Sequence, residues 1–235
     1  MVSLSFERDE RDNRDNNKDD KDDRNREKFI TRLFSWHKQH YQKFSFRNAS
    51  DPFHILISEM LLRQTRGRQV DKIFPLLIAL YPTPQALAKA NIRDIENIIK
   101  PLGMRGRARQ IIEVSRIIAE KFKGSVPNDW DSLLSLPGIG KYIAGCVKAF
   151  AFNEIVPLID VNVKRVLSRV FGVNPKNEKA LCQLYLTLSP RKNIREFHYA
   201  LLDLAALICK SKNPRCLKCP VKDICEYSRK NCFLF

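Results

Sequence analysis

From Phe29 onward apolar residues recur at helical spacing, and no segment alternates polar and apolar positions over the length of a strand. The pattern predicts helices over 51–64, 68–80, 83–90, 92–99, 107–122, 129–135, 141–152, 162–171, 177–188 and 193–208. Breaks at Pro82, Pro84, Pro101, Gly103, Gly124, Pro127, Pro137, Gly172, Pro175 and Pro190 separate them. The stretch DPFHILISEMLLRQ, 51–64, opens on an Asp at the cap position and Pro52 at the first helical position, a standard helix entry. The fold class is all-α, built of short helices without a solenoid repeat.

Residues 7–28, ERDERDNRDNNKDDKDDRNREK, mix both charges with almost no apolar side chain, so burial there does not offset the entropy of ordering. Residues 1–28 are therefore predicted to be a disordered charged tail. The chain has 235 residues and 44% apolar content, enough for one ordinary core or one shared between two lobes. No apolar run approaches the roughly 18–20 residues of a membrane span. The N-terminus lacks the apolar core of a secretory signal and is too acidic for a mitochondrial presequence. These features lead us to expect a cytoplasmic protein with no membrane partner.

Net charge changes the picture of partners. It is +16 overall, but residues 1–28 hold eight Lys/Arg against ten Asp/Glu, leaving 34 against 16, or +18, on the rest. Such an excess points to a polyanion, and no basic amphipathic anchor with apolar residues on its other face directs it to a membrane. Nucleic acid is the expected partner.

The stretch LPGIGKY, 136–142, joins two predicted helices. Glycines at 138 and 140 permit a tight, partly left-handed turn that bares backbone N–H groups at the mouth of a helix. With Lys141 and the helix dipole, Pro137, Gly138, Ile139 and Gly140 form a sequence-independent seat for a phosphate, or else simply a helix connection.

Three further groups bear chemistry. Cys209, Cys216, Cys219 and Cys225 fall within 17 residues at spacings of six, two and five, which in an intracellular basic protein indicates a metal centre rather than disulfides. Zinc and an iron–sulfur cluster use the same four thiolates, and spacing does not separate them. Cys146 and Cys182 fall in helical apolar patterns, as core thiols do, and Cys232 is also outside the spacing. Asp160 follows an apolar segment and precedes a helix; it is either that helix's cap or a carboxylate able to stabilise positive charge on a sugar. Glu59 lies among Ile55, Leu56, Ile57, Met60, Leu61 and Leu62. If it points inward, burial raises its pKa and makes it a general acid; Arg63 and Gln64 leave a solvent-facing position open.

Together, LPGIGKYIAGCVKAF, LIDVNVKRVLSRVFG and C-x6-C-x2-C-x5-C resemble the helix–hairpin–helix (HhH-GPD) DNA glycosylase superfamily in its iron–sulfur branch, which contains endonuclease III, MutY and the thymine/uracil mismatch glycosylases. The likeness runs from about residue 29 to 228. It implies a two-lobed fold: a six-helix domain over 49–156, with the hairpin at 129–152, and a second domain of 29–48 with 157–235. The second domain would hold a [4Fe–4S] cluster on Cys209, Cys216, Cys219 and Cys225.

The resemblance further implies a monomer acting on double-stranded DNA, associated with the nucleoid if the source is prokaryotic. DNA would lie between the lobes, gripped by the hairpin, with Asp160 facing the sugar of a base flipped from the stack. Arg63, Gln64 and Met104 or Arg105 resemble wedge residues that fill the vacated space, with phosphate contact as the alternative for the two arginines.

Endonuclease III-like lyases carry a lysine two residues after the second hairpin glycine; here that position is Tyr142, while Lys141 sits about 100° away round the helix. The expectation is a monofunctional glycosylase with Tyr142 near the flipped nucleotide, acting on T or U opposite G. A MutY-like enzyme acting on adenine or a modified adenine is the alternative, without the C-terminal 8-oxoguanine-recognition domain because the chain stops soon after Cys225. A lyase using Lys141 and a non-catalytic DNA-binding module are the remaining rivals. Phe46, where these families often show Trp, departs from the pattern.

Overall fold

Asp51 accepts hydrogen bonds from the backbone N–H groups of Phe53 (2.8 Å) and His54 (3.0 Å), and Pro52 takes the first helical position, so the Asp-Pro pair starts its helix as predicted. The structure, a computed structural model, describes residues 9–103 and 106–231, with side chains from residue 23. Its helices are α1 (Asp9–His40), α2 (Pro52–Leu62), α3 (Gly67–Leu80), α4 (Pro84–Ala88), α5 (Ile92–Ile99) and α6 (Arg107–Lys121). They continue with α7 (Trp130–Ser135), α8 (Lys141–Ala151), α9 (Val161–Phe171), α10 (Glu178–Leu188), α11 (Ile194–Leu207) and α12 (Glu226–Asn231). Among the described residues there is no strand, and α2 to α11 match the predicted helices to within two residues.

Helix α1 begins at Asp9, so residues 9–28 are helical where the charge pattern alone predicts a disordered tail; residues 1–8 lie outside the described residues. Opposite charges one turn apart, such as Arg26 and Asp23 at 2.8 Å, favour the helix where burial does not. Further along, Phe29 and Leu33 are fully buried and fix its C-terminal half. No helix among the described residues is long and apolar enough to cross a membrane.

The chain divides into two units. One contains Gln42–Asp160 with Ser189–His198. Here α2 is buried on almost every side and packs on α8, and α4 packs on α6. Gly145 makes room on α8: a Cβ there would stand 2.9 Å from Leu158, so the apolar segment leading to Asp160 lies directly against the helix. Ser45 donates from its N and Oγ to Asp71 (2.6 and 2.8 Å). Arg195 donates to the carbonyls of Ala49 (2.7 Å) and Phe150. These bonds give the physical reason that 42–48 and 189–198 belong with this unit; the sequence division assigned both to the cysteine-bearing domain, and with them 157–160, which the packing of Leu158 on Gly145 holds here.

The other unit takes the chain to Tyr41, Val161–Leu188 and the chain from Tyr199. Phe29 meets Phe171 edge-on at 5.2 Å, and a fully buried pair, His37 Nε2 and Asp203 Oδ2 at 3.1 Å, ties α1 to α11.

Candidate active site

The hairpin turns on Gly138, whose φ of +77° only glycine adopts freely, while Gly140 is extended (φ −96°) and stands at the cap position of α8 with no side-chain cap. The expectation of left-handed backbone is therefore met at Gly138 and not at Gly140. A Cβ on Gly140 would meet nothing within 4 Å, so packing within the protein does not require glycine there. What the bare position leaves open is the backbone N–H row of α8's first turn, beside the exposed Lys141. Pro137 and Ile139 complete the turn, Ile139 donating from N to the Leu136 carbonyl at 3.1 Å and burying its side chain.

Glu59 points inward. Burial pushes its carboxyl up from 4.5 to about 7, against the pull of a hydrogen bond with the Cys146 thiol and of the Arg195 and Arg47 charges; the Asp160 charge adds to the rise. Cys146 is buried on the next turn of α8 from Tyr142, and its thiol is pushed well above the usual range by burial and by Glu59. It is a core thiol as predicted, but one that bonds to both Glu59 and Tyr142.

The Tyr142 hydroxyl lies 3.1 Å from His198 Nε2. Burial raises the Tyr142 pKa well above 10, with the charges of Cys146, Glu59 and Asp160 contributing. Burial lowers His198 from 6.5 to about 4, Asp160 drawing it back up and Arg47 pushing it down. Asp160 itself is half-buried, immediately before α9. Four groups thus form one electrostatic neighbourhood around Asp160: Glu59, Cys146, Tyr142 and His198. Sequence reading singled out three of these five residues. His198 and the role of Cys146 escaped it, because a buried histidine or cysteine on a helix carries no local mark of its partner.

The turn after α2, which follows Glu59 in the chain, carries Arg63 and Gln64. Gln64 is exposed with φ +57°, a conformation that costs a residue with a side chain on the order of 1 kcal/mol. Arg63 donates from Nη1 to the Gly138 carbonyl at 3.3 Å. Met104 and Arg105 lie outside the described residues.

In the other unit, Cys209, Cys216, Cys219 and Cys225 line one pocket with Arg169, Val170, Leu204, Ile208, Pro214, Tyr227 and Ser228. Arg169 Nη1 stands 3.6 Å from Cys209 Sγ, and the Cys225 thiol donates to the Arg169 carbonyl at 3.4 Å. Arg165 and Arg169 also bind the carbonyls of Cys209 (2.8 Å) and Lys210 (2.6 Å), holding the start of the cysteine segment to α9. Among the described residues, no three His, Cys, Asp or Glu side chains are grouped tightly enough to hold a single metal ion. Cys182 is only half-buried, which corrects its reading as a core thiol, and Cys232 lies outside the described residues.

This helical scaffold, with its hairpin and the Asp160 neighbourhood, belongs to the HhH-GPD superfamily of base excision DNA repair proteins, whose family model matches residues 57–190. The match includes Glu59, Tyr142 and Asp160; His198 and the four cysteines lie beyond it. The chain is 35% identical over 213 residues to the thymine/uracil-DNA glycosylase of Pyrobaculum aerophilum, a span covering 86% of this chain and 93% of that one. It is 33% identical over 202 residues to the adenine DNA glycosylase of Buchnera aphidicola, covering 84% of this chain and 58% of that one. A solved thermostable thymine-DNA glycosylase superposes with a TM-score of 0.82 at 33% identity, over 88% of this chain and 98% of that one.

Proposed function

We propose that the protein is a monofunctional DNA glycosylase that flips T or U opposite G out of duplex DNA and hydrolyses its N-glycosidic bond. The observation that carries this reading is a buried Glu59 carboxyl, with its pKa near 7, within the electrostatic reach of the Asp160 carboxylate. As the C1′–N1 bond breaks, its electron pair leaves with the base, and Glu59 supplies the proton that neutralises it. The Asp160 carboxylate stabilises the positive charge left on the sugar. Water then adds at C1′ and loses a proton, giving the free base and an abasic site.

No amine enters this sequence. Lys141 is exposed at the first position of α8, and the inward position beside it is filled by Tyr142, which has no nucleophilic nitrogen for a Schiff base. The protein's own contribution to strand binding is the hairpin 137–141, whose N–H groups and lysine suit a DNA phosphate.

Cys209, Cys216, Cys219 and Cys225 would hold a [4Fe–4S] cluster: the lining of their pocket is sulfur with an apolar rim of Val170, Leu204 and Ile208, and Arg169 adds positive charge beside Cys209. When bound, such a cluster ties the segment 209–225 to the fold. A brown protein with broad visible absorption is expected, and a colourless zinc-bound protein would overturn this assignment.

The second reading is an adenine or modified-adenine glycosylase, favoured by the 33% identity to the Buchnera enzyme. Purified protein assayed on duplexes with G·T, G·U, A·G, A opposite 8-oxoguanine and N6-methyladenine distinguishes the two. Alkali-sensitive sites are expected with G·T and G·U; cleavage confined to adenine substrates selects the second reading, and no cleavage of any duplex refutes both.

A further inference from the structure

Arg107 opens α6 and is buried to 3% exposure. Its guanidinium donates from Nη1 to the Leu61 carbonyl (2.6 Å) and Thr65 Oγ1 (3.0 Å), and from Nη2 to the Arg63 carbonyl (2.5 Å). Burial lowers its pKa, and the neighbouring Arg63 charge lowers it further, so this site is unfavourable for a cation unless the acceptors demand one.

The acceptors do demand one. The carbonyls of Leu61 and Arg63 belong to the C-terminal end of α2, where helix carbonyls lack intrahelical partners and the dipole favours positive charge. Arg107 thus caps α2 from another helix. It fixes the sharp exit that puts Gln64 at φ +57° with its side chain exposed.

The same face of α6 reaches the hairpin. One turn on from Arg107, the Gln110 amide lies so close to Gly138 that a Cβ there would stand 3.2 Å from it. Arg63, whose carbonyl Arg107 holds, returns its own guanidinium to the Gly138 carbonyl at 3.3 Å. The turn 63–66 and the phosphate-binding hairpin are therefore braced by one helix and linked by one side chain.

We infer that Arg107 is a positioning residue for base extrusion: it fixes the turn 63–66 so that Gln64 stands at a set distance from the hairpin that grips the strand. A side chain entering the stack does so against the resistance of stacked bases. A turn free to relax would recoil, because the left-handed backbone at Gln64 is not its preferred state. The inference rests on the glycosylase reading, and wild-type excision tests that reading separately.

The test compares wild type with Arg107→Met, Arg107→Lys and Thr65→Val. The readouts are single-turnover excision of thymine from a G·T duplex, fluorescence of 2-aminopurine placed beside the target, and Kd for a duplex with a tetrahydrofuran abasic site opposite G, where no base must be extruded. For Arg107→Met we expect excision and the fluorescence rise to fall at least tenfold, with Kd for the abasic duplex changed less than threefold. Arg107→Lys, which keeps one charged donor, recovers part of both, and Thr65→Val loses two- to fivefold in the same two readouts. Should Arg107→Met fail to fold, the milder pair decides on the same comparison. Equal losses of excision and abasic-duplex binding would overturn the inference, as would unchanged excision or an unchanged fluorescence rise.

Discussion

The Tyr142 hydroxyl and His198 Nε2 stand 3.1 Å apart, and burial keeps each side chain neutral: the phenol is raised well above 10 and the imidazole lowered to about 4. The bond joins α8 to α11 and fixes the tyrosine ring, which interacts with the Asp160 charge. Borohydride added during excision should trap no covalent adduct between wild type and DNA. Tyr142→Lys, which places an amine beside Asp160 and Glu59, should yield a trapped adduct. A wild-type adduct lost in Lys141→Gln would instead make this a lyase acting through Lys141.

Glu59 ties activity and stability to pH. With its carboxyl near 7 it is a proton donor below that value, so single-turnover excision should decline as pH rises through about 7. Glu59→Gln should lose that limb of the profile and at least about 100-fold in rate at pH 6.

For stability, the folded pKa of Glu59 exceeds its unfolded value of 4.5, so the native state binds the extra proton between pH 4.5 and 7 and loses stability as pH rises through that window, on the order of 3 kcal/mol in all. His198 acts oppositely. Its folded pKa near 4 lies below 6.5, so stability is gained as pH rises from 4 to 6.5. Urea denaturation of wild type should therefore be nearly flat in the overlap, and Glu59→Gln should uncover the rise due to His198. A flat profile in both proteins would contradict the placement of these groups.

The two hairpin glycines should respond differently to alanine. Gly138 has φ +77° and the Gln110 amide close by, so Gly138→Ala should cost on the order of 1 kcal/mol and about 2–4 °C in Tm. Gly140 has ordinary backbone and open space where a Cβ would go. Gly140→Ala keeps its backbone N–H and should lower Tm by no more than about 2 °C, the cost of a poorer cap, yet its Cβ would hold a phosphate off the N–H row and weaken duplex binding about tenfold, about the value of one hydrogen bond to a charged group. Unweakened binding by Gly140→Ala would remove the strand from the hairpin.

Much of this was legible because its causes are local. The Asp51-Pro52 entry and the breaks at proline and glycine follow from neighbours within a few residues, whereas the choice between an inward and a solvent-facing Glu59, left open by its neighbours, is settled only by the packing. Tertiary partners were not. Tyr142 and His198 are 56 residues apart, and Arg107 and Leu61 are 46 apart, so neither bond leaves a mark in a short window of sequence. The same reason explains why 42–48 joins the unit of Gln42–Asp160: Ser45 is held by Asp71, 26 residues on. Residues 9–28 are helical without an apolar face, and the support seen there, the Arg26–Asp23 pair one turn apart, is one that hydrophobicity does not reveal.

The central claim is that the Asp160 carboxylate stabilises a sugar that loses its base. Single-turnover excision on G·T and G·U duplexes, comparing wild type with Asp160→Asn and measuring duplex Kd alongside, tests it most directly. The account predicts a fall of at least about 100-fold in rate with Kd changed by less than a factor of about three, the pattern of a group that acts on the transition state. Full-rate excision by Asp160→Asn would contradict it.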